Sequence, residues 1–271
     1  MRFYEKLDNI TTTHDSLVCV GLDTDPLKIP DHLRGRDDGV LLFNRGIIEA
    51  TADIAQSYKL NLAFYESLGR GGYDIVRQTL EMIPDDVVTI GDAKRGDIGN
   101  TALMYARALF DDFGFDAATV APYMGRDSVE PFLRYEDRGV FLLALTSNKG
   151  SQDFQYLEID GDPLYRHVIR TAQEWNDANN LGFVVGATHP SELEDIRGMV
   201  GDLPLLIPGL GAQGGDVEKS VRGGTTAGGM RGVFNSSRGI IYAGGGEDFA
   251  DAARSAAIDL RDTINRFRTA G

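Results

Sequence analysis

Cysteine is almost absent from this chain, which contains Cys19 alone, and no run of about 18 apolar residues occurs in it. A single cysteine excludes an internal disulfide, and without such an apolar run no membrane-spanning helix is expected. Residues 1–6 also lack the apolar core of a secretory signal. Together these absences predict a cytoplasmic protein with no membrane partner.

Basic residues are scarce as well. The chain has 27 lysine and arginine residues against 41 aspartate and glutamate residues, and its net charge is -14. Nucleic-acid phosphates require basic surfaces, so this balance argues against nucleic acid as a partner. Lysine in particular is rare among the basic residues. An excess of carboxylates with little lysine suits a salt-rich cytoplasm in which self-repulsion is screened, and a halophilic protein is the resulting hypothesis.

What the sequence does contain is a regular alternation of apolar runs and helical patterns. Its 271 residues and 42% hydrophobic content are typical of one globular domain, 1–271. Apolar and β-branched runs predict strands at 16–22, 59–64, 87–90, 117–120, 140–145, 182–186, 205–207 and 232–234. Helical spacing predicts helices at 40–57, 73–82, 100–112, 128–135, 163–179, 191–200, 217–221 and 248–268. Eight strand–helix repeats predict an α/β fold, a single (β/α)8 TIM barrel, with an open doubly wound sheet as the alternative.

Three charged residues at the end of the third predicted strand form the most informative motif. Asp92 and Lys94 alternate, so their side chains are expected to point to the same side, and Asp97 follows three residues later. Like charges repel and burial removes their hydration, so such a cluster is costly for folding and is usually retained for a ligand. The alternative interpretation is a solvated ion pair in a βα loop.

Polar residues near the ends of other predicted strands converge on one face of a barrel. They are Asp23, Lys59, Thr101, Ser147, residues 208–215 and Arg238. The glycine-rich turn after strand seven and the cation after strand eight predict a phosphate site, because bare backbone N–H groups and arginine both bind phosphate. A second glycine-rich stretch, residues 223–229, is interpreted either as a disordered connection or as a mobile lid over the site.

The segment from Asp92 to Thr101 resembles the D-x-K-x-x-D-I signature of the orotidine 5'-phosphate decarboxylase family. Further blocks resemble the longer second subgroup of that family and follow in the same order along the chain. They are residues 17–23, 58–66, 144–148, 208–216 and 235–243. The resemblance implies decarboxylation of orotidine 5'-monophosphate (OMP) to uridine 5'-monophosphate (UMP) in pyrimidine biosynthesis, with no cofactor and no metal.

The resemblance also implies roles for individual residues. Lys94 is expected to protonate the C6 carbanion of the pyrimidine, and Asp92 to face the substrate carboxylate. Lys59 and Asp97 are expected to complete an alternating network of lysines and aspartates with them. The implied substrate-binding set is Asp23 and Lys59 for the ribose, Thr101 for the ribose from the neighbouring subunit, Ser147 for the pyrimidine edge, and Gln213 and Arg238 for the phosphate, together with Pro208. Asp97 also reaches across from a second subunit in this family, so a homodimer with shared active sites is expected.

Two other functions stay open at this point. One is a metal-dependent decarboxylase or aldolase of sugar phosphates, which shares the D-x-K-x-x-D spacing; the lack of an obvious metal-binding glutamate in the motif disfavours it. The other is a non-catalytic nucleotide-binding protein that keeps the fold, which the intact Lys94 and both aspartates disfavour. The four histidines of the chain show no metal-ligand spacing, so no metal site is predicted.

Overall fold

A closed barrel of eight parallel strands forms the centre of this computed structural model, which describes residues 1–188, 190–210 and 217–268. The barrel strands are β1 (Val18–Gly21), β2 (Ser57–Asn61), β3 (Val88–Arg95), β4 (Ala117–Val120), β5 (Gly139–Leu145), β8 (Leu181–Val185), β9 (Leu205–Pro208) and β10 (Gly232–Ser236), and outside the barrel lie β6 (Glu158–Ile159) and β7 (Asp162–Pro163). The short strands β6 and β7 form a separate antiparallel pair between β5 and the next barrel strand.

Helices follow the barrel strands and cover the outside of the barrel. They are α1 (Phe3–His14), α2 (Gly39–Thr51), α3 (Leu62–Glu66), α4 (Gly72–Leu80), α5 (Gly99–Arg107), α6 (Arg126–Leu133), α7 (Ser151–Phe154), α8 (Leu164–Gln173), α9 (Pro190–Val200), α10 (Val217–Gly224), α11 (Arg238–Ile241) and α12 (Phe249–Phe267). A π-helical turn, Ala108–Asp112, continues α5. Within the described ranges, no helix combines the length and apolar character required to cross a membrane.

The pairing of the first and last strands closes the sheet. β1 pairs in parallel with both β2 and β10, so the ring of described strands is complete. All residues of β1, β4 and β8 are buried, as expected for parallel strands covered by helices on one side and packed into a barrel interior on the other. The TIM-barrel prediction is therefore confirmed, and the open-sheet alternative is wrong.

The second strand begins and ends earlier than predicted. β2 spans Ser57–Asn61 rather than 59–64, and α2 ends at Thr51 rather than at residue 57. The Asn61 side chain accepts a hydrogen bond from the backbone N–H of Ala63 at 3.2 Å, and this cap begins α3. The apolar run continues past Asn61, but the chain turns into a helix there. Lys59 therefore lies at the centre of β2.

Helix α1, which the sequence analysis did not predict, covers the N-terminal end of the barrel. Its buried residues Phe3 and Leu7 recur with helical spacing. The Phe3 ring packs over Gly139, the first residue of β5, where a Cβ atom would lie 2.6 Å from the ring. Lys6 Nζ pairs with Asp116 Oδ2 at 2.7 Å, just before β4 begins. With this end covered by α1, the C-terminal ends of the strands remain for a site.

The glycine-rich stretch 223–229 is an ordered connection at the N-terminal end of the barrel. Gly224 ends α10, and a Cβ atom there would lie 2.3 Å from Ile207 Cδ1, so only glycine allows this close packing. The backbone N–H of Thr226 donates to the carbonyl of Met230 at 2.9 Å. The segment leads into Gly232, the first residue of β10. It therefore lies at the opposite end of the barrel from the charged motif. Both interpretations, a disordered connection and a lid over the site, are wrong.

Candidate active site

Four charged side chains from the first three strands and their loops meet near the C-terminal end of the barrel. The Asp92 carboxylate is central: its Oδ2 accepts a hydrogen bond from Lys59 Nζ at 3.0 Å and its Oδ1 from Lys94 Nζ at 2.5 Å. Lys59 Nζ also lies 3.4 Å from Oδ1 of Asp23, which follows β1. The chain Asp23–Lys59–Asp92–Lys94 alternates in charge, and the expected placement of Asp92 and Lys94 on one side is confirmed.

The register of the parallel strands explains why these residues meet. Lys59 pairs with Gly21 of β1 and with Ile90 of β3. Asp92 lies two residues beyond Ile90, so it is two residues nearer the C-terminal end of the barrel than Lys59 is. The long Lys59 side chain extends upward from its central position in β2 and reaches Asp92.

Opposite charges determine the ionisation of the buried pair. Burial raises the pKa of Asp92, but the ammonium groups of Lys59 and Lys94 lower it more, and the pKa is held well below its ordinary value. Burial likewise lowers the pKa of Lys59, but the carboxylates of Asp92 and Asp23 raise it more, and the pKa lies above its ordinary value. Both groups therefore stay charged at neutral pH, although Lys59 is 3% and Asp92 8% exposed.

Lys94 differs from Lys59 because 49% of its side chain is exposed. One hydrogen of its ammonium group is directed to Asp92. An ammonium group has three donors, so two remain for a ligand or solvent. This arrangement presents the Lys94 side chain, held on one side by Asp92, at the open end of the barrel.

A cavity of about 210 Å³ lies beside the network at the ends of β9 and β10. Its lining includes Asp23, Gly209 and Arg238. A guanidinium group beside glycine backbone is suited to bind an anion such as phosphate. Of the two loops predicted to bind phosphate, Gly209 of the first and Arg238 of the second therefore line the same cavity. Gln213 lies outside the described residues.

Asp97 and Thr101 do not join the network within one chain. Asp97 Oδ1 accepts the backbone N–H of Ile98 at 2.8 Å, and among the described contacts nothing links its carboxylate to Lys94. Thr101 is exposed on α5. In a single chain, the second carboxylate of the network is therefore Asp23 and not Asp97.

Ser147 and Pro208 lie at the ends of two other barrel strands. Ser147 is exposed after β5 and packs over Gly186, where a Cβ atom would lie 2.8 Å from Ser147 Cβ. Pro208 is the last residue of β9 and is partly buried. Both therefore lie at the same end of the barrel as Asp92, as predicted from their positions after apolar strands.

Two residues at the site were missed by the sequence analysis. Thr119 of β4 contacts both Asp92 and Lys94. Tyr242 follows α11, and its hydroxyl accepts the backbone N–H of Asp25 at 2.7 Å and lies 3.3 Å from the carbonyl oxygen of Asp23. Thr119 is the one hydroxyl residue of the otherwise apolar strand β4, and this position in the sequence could have predicted a polar role for it. The contact of Tyr242 depends on a loop and has no signature in the sequence.

Comparisons with known proteins agree with this architecture. Residues 16–253 match the family model described as "Orotidine 5'-phosphate decarboxylase / HUMPS family". A relative from Dehalococcoides mccartyi named orotidine 5'-phosphate decarboxylase is 49% identical over 272 residues, which cover 99% of each chain. A relative of the same name from Azoarcus sp. is 49% identical, covering 99% of this chain and 100% of its own. The solved structure of Leishmania donovani OMP decarboxylase is 36% identical with a TM-score of 0.87 over 100% of both chains. This chain therefore belongs to the orotidine 5'-phosphate decarboxylase / HUMPS family.

Proposed function

We propose that this protein decarboxylates OMP to UMP and carbon dioxide in de novo pyrimidine biosynthesis in the cytoplasm. The observation that carries the proposal is the half-exposed Lys94 ammonium group, hydrogen-bonded to Asp92 in a network whose other carboxylate, Asp23, lines the same cavity as Arg238. A carbanion intermediate requires a preorganised cation and a proton source, and Lys94 offers both. The choice of OMP as the substrate rests on the names of the relatives and of the solved structure.

Lys94 is the residue assigned to the proton transfer. The bond between C6 and the substrate carboxylate breaks, carbon dioxide leaves, and the electron pair stays on C6. Lys94 Nζ then gives a proton to C6, and its neutral amine regains a proton from solvent. Asp92, which stays ionised, accepts a hydrogen bond from the Lys94 ammonium group and holds it in position before each turnover.

Asp92 has a second effect in this proposal. A substrate carboxylate placed next to Lys94 also approaches the negatively charged Asp92 carboxylate, to which Lys94 and Lys59 both donate. This repulsion is relieved as carbon dioxide departs and C6 accepts the proton. The ionised state of Asp92 therefore disfavours the bound substrate more than the transition state.

The remaining polar groups are assigned to binding. Asp23 and Lys59 are assigned to the ribose hydroxyls, and Ser147 is assigned to the pyrimidine edge. The phosphate is assigned to Arg238 with Pro208 and Gln213 of the preceding loop. The phosphate contacts are remote from the bond that breaks, so their binding energy serves to orient the substrate.

The test of the overall proposal is the loss of OMP absorbance with purified protein. The assay contains a metal chelator, because the proposal requires neither metal nor cofactor, and potassium chloride, because of the acidic composition. In the described residues, no cluster of three His, Cys, Asp or Glu side chains is arranged to hold a metal ion. Conversion to UMP that is insensitive to the chelator supports the proposal. A folded protein that needs added magnesium, or that binds UMP without turnover, contradicts it.

Replacing Arg238 with alanine is expected to raise KM for OMP by about 10- to 100-fold and to change kcat less. Hydrogen bonds to a charged group contribute about 1.5–3 kcal/mol, and about 1.4 kcal/mol corresponds to a tenfold change in affinity. Steady-state kinetics of Arg238→Ala measure both constants. Arg45→Ala, a change at an exposed arginine on α2, is the control. An unchanged KM in Arg238→Ala would exclude the phosphate role.

We also propose that the active protein is a homodimer with shared sites. Asp97 and Thr101 lie next to exposed apolar side chains, including Ile98 and Met104. The neighbouring loop after β4 carries Tyr123, which is 89% exposed. Large exposed apolar groups next to site residues are typical of an interface. A second copy on this surface would bring its own Asp97 towards Lys94.

Mixed dimers of two inactive variants test this arrangement. Lys94→Ala and Asp97→Ala chains with different affinity tags are coexpressed, and dimers that carry both tags are purified. If Asp97 acts across the interface, each mixed dimer contains one intact site and regains activity that neither parent dimer has. If Asp97 acts within its own chain, every site in the mixed dimer carries one substitution and the dimer stays inactive.

A further inference from the structure

Three consecutive residues of β3 lie opposite a single residue of β4. Gly91 pairs with Ala118 and Arg95 pairs with Val120, so residues 92–94 face Thr119 alone. This bulge directs Asp92 and Lys94 into the site but takes their backbone out of the regular ladder. Lys94 has a φ of 48°, in the left-handed region that is unfavourable for a residue with a side chain. The bulge therefore depends on contacts outside the ladder.

The Thr119 hydroxyl supplies two such contacts. Its Oγ1 accepts the backbone N–H of Lys94 at 2.9 Å and donates to Asp92 Oδ1 at 2.9 Å. A hydroxyl has one proton, and an ionised carboxylate can only accept. The Thr119 hydroxyl therefore donates its proton to Asp92 and accepts the backbone N–H of Lys94 with a lone pair. Thr119 is 1% exposed, so solvent does not compete for either bond. One hydroxyl thus forms hydrogen bonds with both the Lys94 backbone and the Asp92 carboxylate.

We propose that Thr119 is a positioning residue that holds the Asp92 carboxylate and the Lys94 backbone and so aims the Lys94 ammonium group at the substrate. The inference rests on the proposed function, since the aim matters only if Lys94 acts. Thr119 is not among the described residues that line the cavity beside Arg238. Its loss should therefore lower turnover and leave phosphate-dependent binding unchanged.

Two substitutions at this position separate the hydroxyl from the packing. Thr119→Val keeps the branched shape and removes both hydrogen bonds, and it is expected to lower kcat by about 10- to 100-fold with KM unchanged, as expected for bonds to a charged group. Thr119→Ser keeps the hydroxyl and is expected to restore most of kcat. The affinity for UMP, measured by titration calorimetry, should be the same in all three proteins.

A matched control removes a buried hydroxyl elsewhere. Thr225 is also buried, and its hydroxyl donates to the Val221 carbonyl at 2.9 Å at the far end of the barrel. Thr225→Val should weaken resistance to urea without lowering kcat. If Thr119→Val merely destabilises the fold, it will resemble this control.

The outcomes distinguish this inference from the proposed function. If the wild-type protein converts OMP but Thr119→Val keeps its kcat, or Thr119→Ser is as impaired as Thr119→Val, the positioning role is wrong and the proposed function stands. If the wild-type protein does not convert OMP, the proposed function fails. A crystal structure of Thr119→Val then tests the positioning claim by itself: a changed Lys94 φ and a moved Asp92 carboxylate support it, and an unchanged bulge overturns it.

Discussion

Replacing Lys94 with alanine is expected to lower kcat for OMP decarboxylation by about 10⁴-fold. A general acid contributes up to about 10⁴-fold, and a preorganised charge next to a developing anion contributes about 10²- to 10³-fold. The two contributions belong to one ammonium group here, so they overlap and do not multiply. Lys59 does not replace it, because Lys59 is buried against Asp92 and Asp23.

The stability of Lys94→Ala should change little. The Lys94 side chain is half exposed, and Asp92 keeps its hydrogen bonds from Lys59 and Thr119. An ion pair with one exposed partner contributes about 1 kcal/mol or less. Steady-state kinetics and urea unfolding measure the two quantities, and Lys219→Ala, at an exposed lysine on α10, is the control. A Lys94→Ala protein with nearly wild-type kcat would remove Lys94 from the proposed role.

Replacing Asp92 with asparagine is expected to abolish turnover and also to lower the free energy of unfolding by about 3 kcal/mol or more. The Lys59 ammonium group is 3% exposed, and its shortest ion pair is with Asp92. Asp92→Asn leaves the buried Lys59 ammonium group with the longer Asp23 pair alone, at 3.4 Å, and removing one partner of a buried pair costs about 3–5 kcal/mol. Asp92→Asn should therefore lose both activity and stability, whereas Lys94→Ala loses activity alone.

Urea unfolding of Asp92→Asn measures the change in stability. Asp53→Asn is the matched control, because Asp53 pairs with Arg254 at 2.7 Å but 64% of its side chain is exposed. An exposed pair contributes about 1 kcal/mol or less, so the control should remain near wild type. Equal and small losses in both variants would mean that the network does not hold a buried charge pair.

The lowered pKa of Asp92 also fixes the sign of a pH effect. Its pKa in the folded protein lies below the unfolded value of about 3.9, so its contribution to stability is complete above that value. The contribution is lost as the pH falls towards the folded pKa. The difference in unfolding free energy between wild type and Asp92→Asn should stay constant from about pH 5 to pH 7 and shrink below about pH 4. A difference that grows in acid would contradict the assigned ionisation.

Much of the fold could be predicted because a parallel barrel repeats one pattern. Apolar strands covered on both sides, separated by helical spacing, are visible in the sequence without any knowledge of pairing. The end of β2 was misplaced because the apolar run continues past Asn61, whose capping bond exists only in the folded chain. The stretch 223–229 was misinterpreted because glycine serves both flexible loops and close packing, and the contact of Gly224 with Ile207 separates the two.

The site could be predicted only where local geometry decides it. Asp92 and Lys94 lie two residues apart on one predicted strand, so alternation was enough to predict that they share a side, although the structure reaches this placement through a bulge. The contacts of Lys59 and Asp23 with this pair depend on strand register, which the family resemblance supplied and periodicity does not. Thr119 acts through a bulge in the ladder, and a bulge of this kind has no signature in the sequence. The proposed contribution of Asp97 from a second chain stays a prediction.

Exchange of the C6 hydrogen of UMP with deuterium from heavy water most directly tests the claim that Lys94 moves the proton at C6. The exchange forms the same carbanion from the product and needs no carboxylate, so it reports on Lys94 apart from carbon dioxide release. The wild-type protein and Lys219→Ala should both remove the C6 proton signal from the NMR spectrum of UMP, and Lys94→Ala should leave that signal in place. Exchange at the wild-type rate in Lys94→Ala would contradict the account.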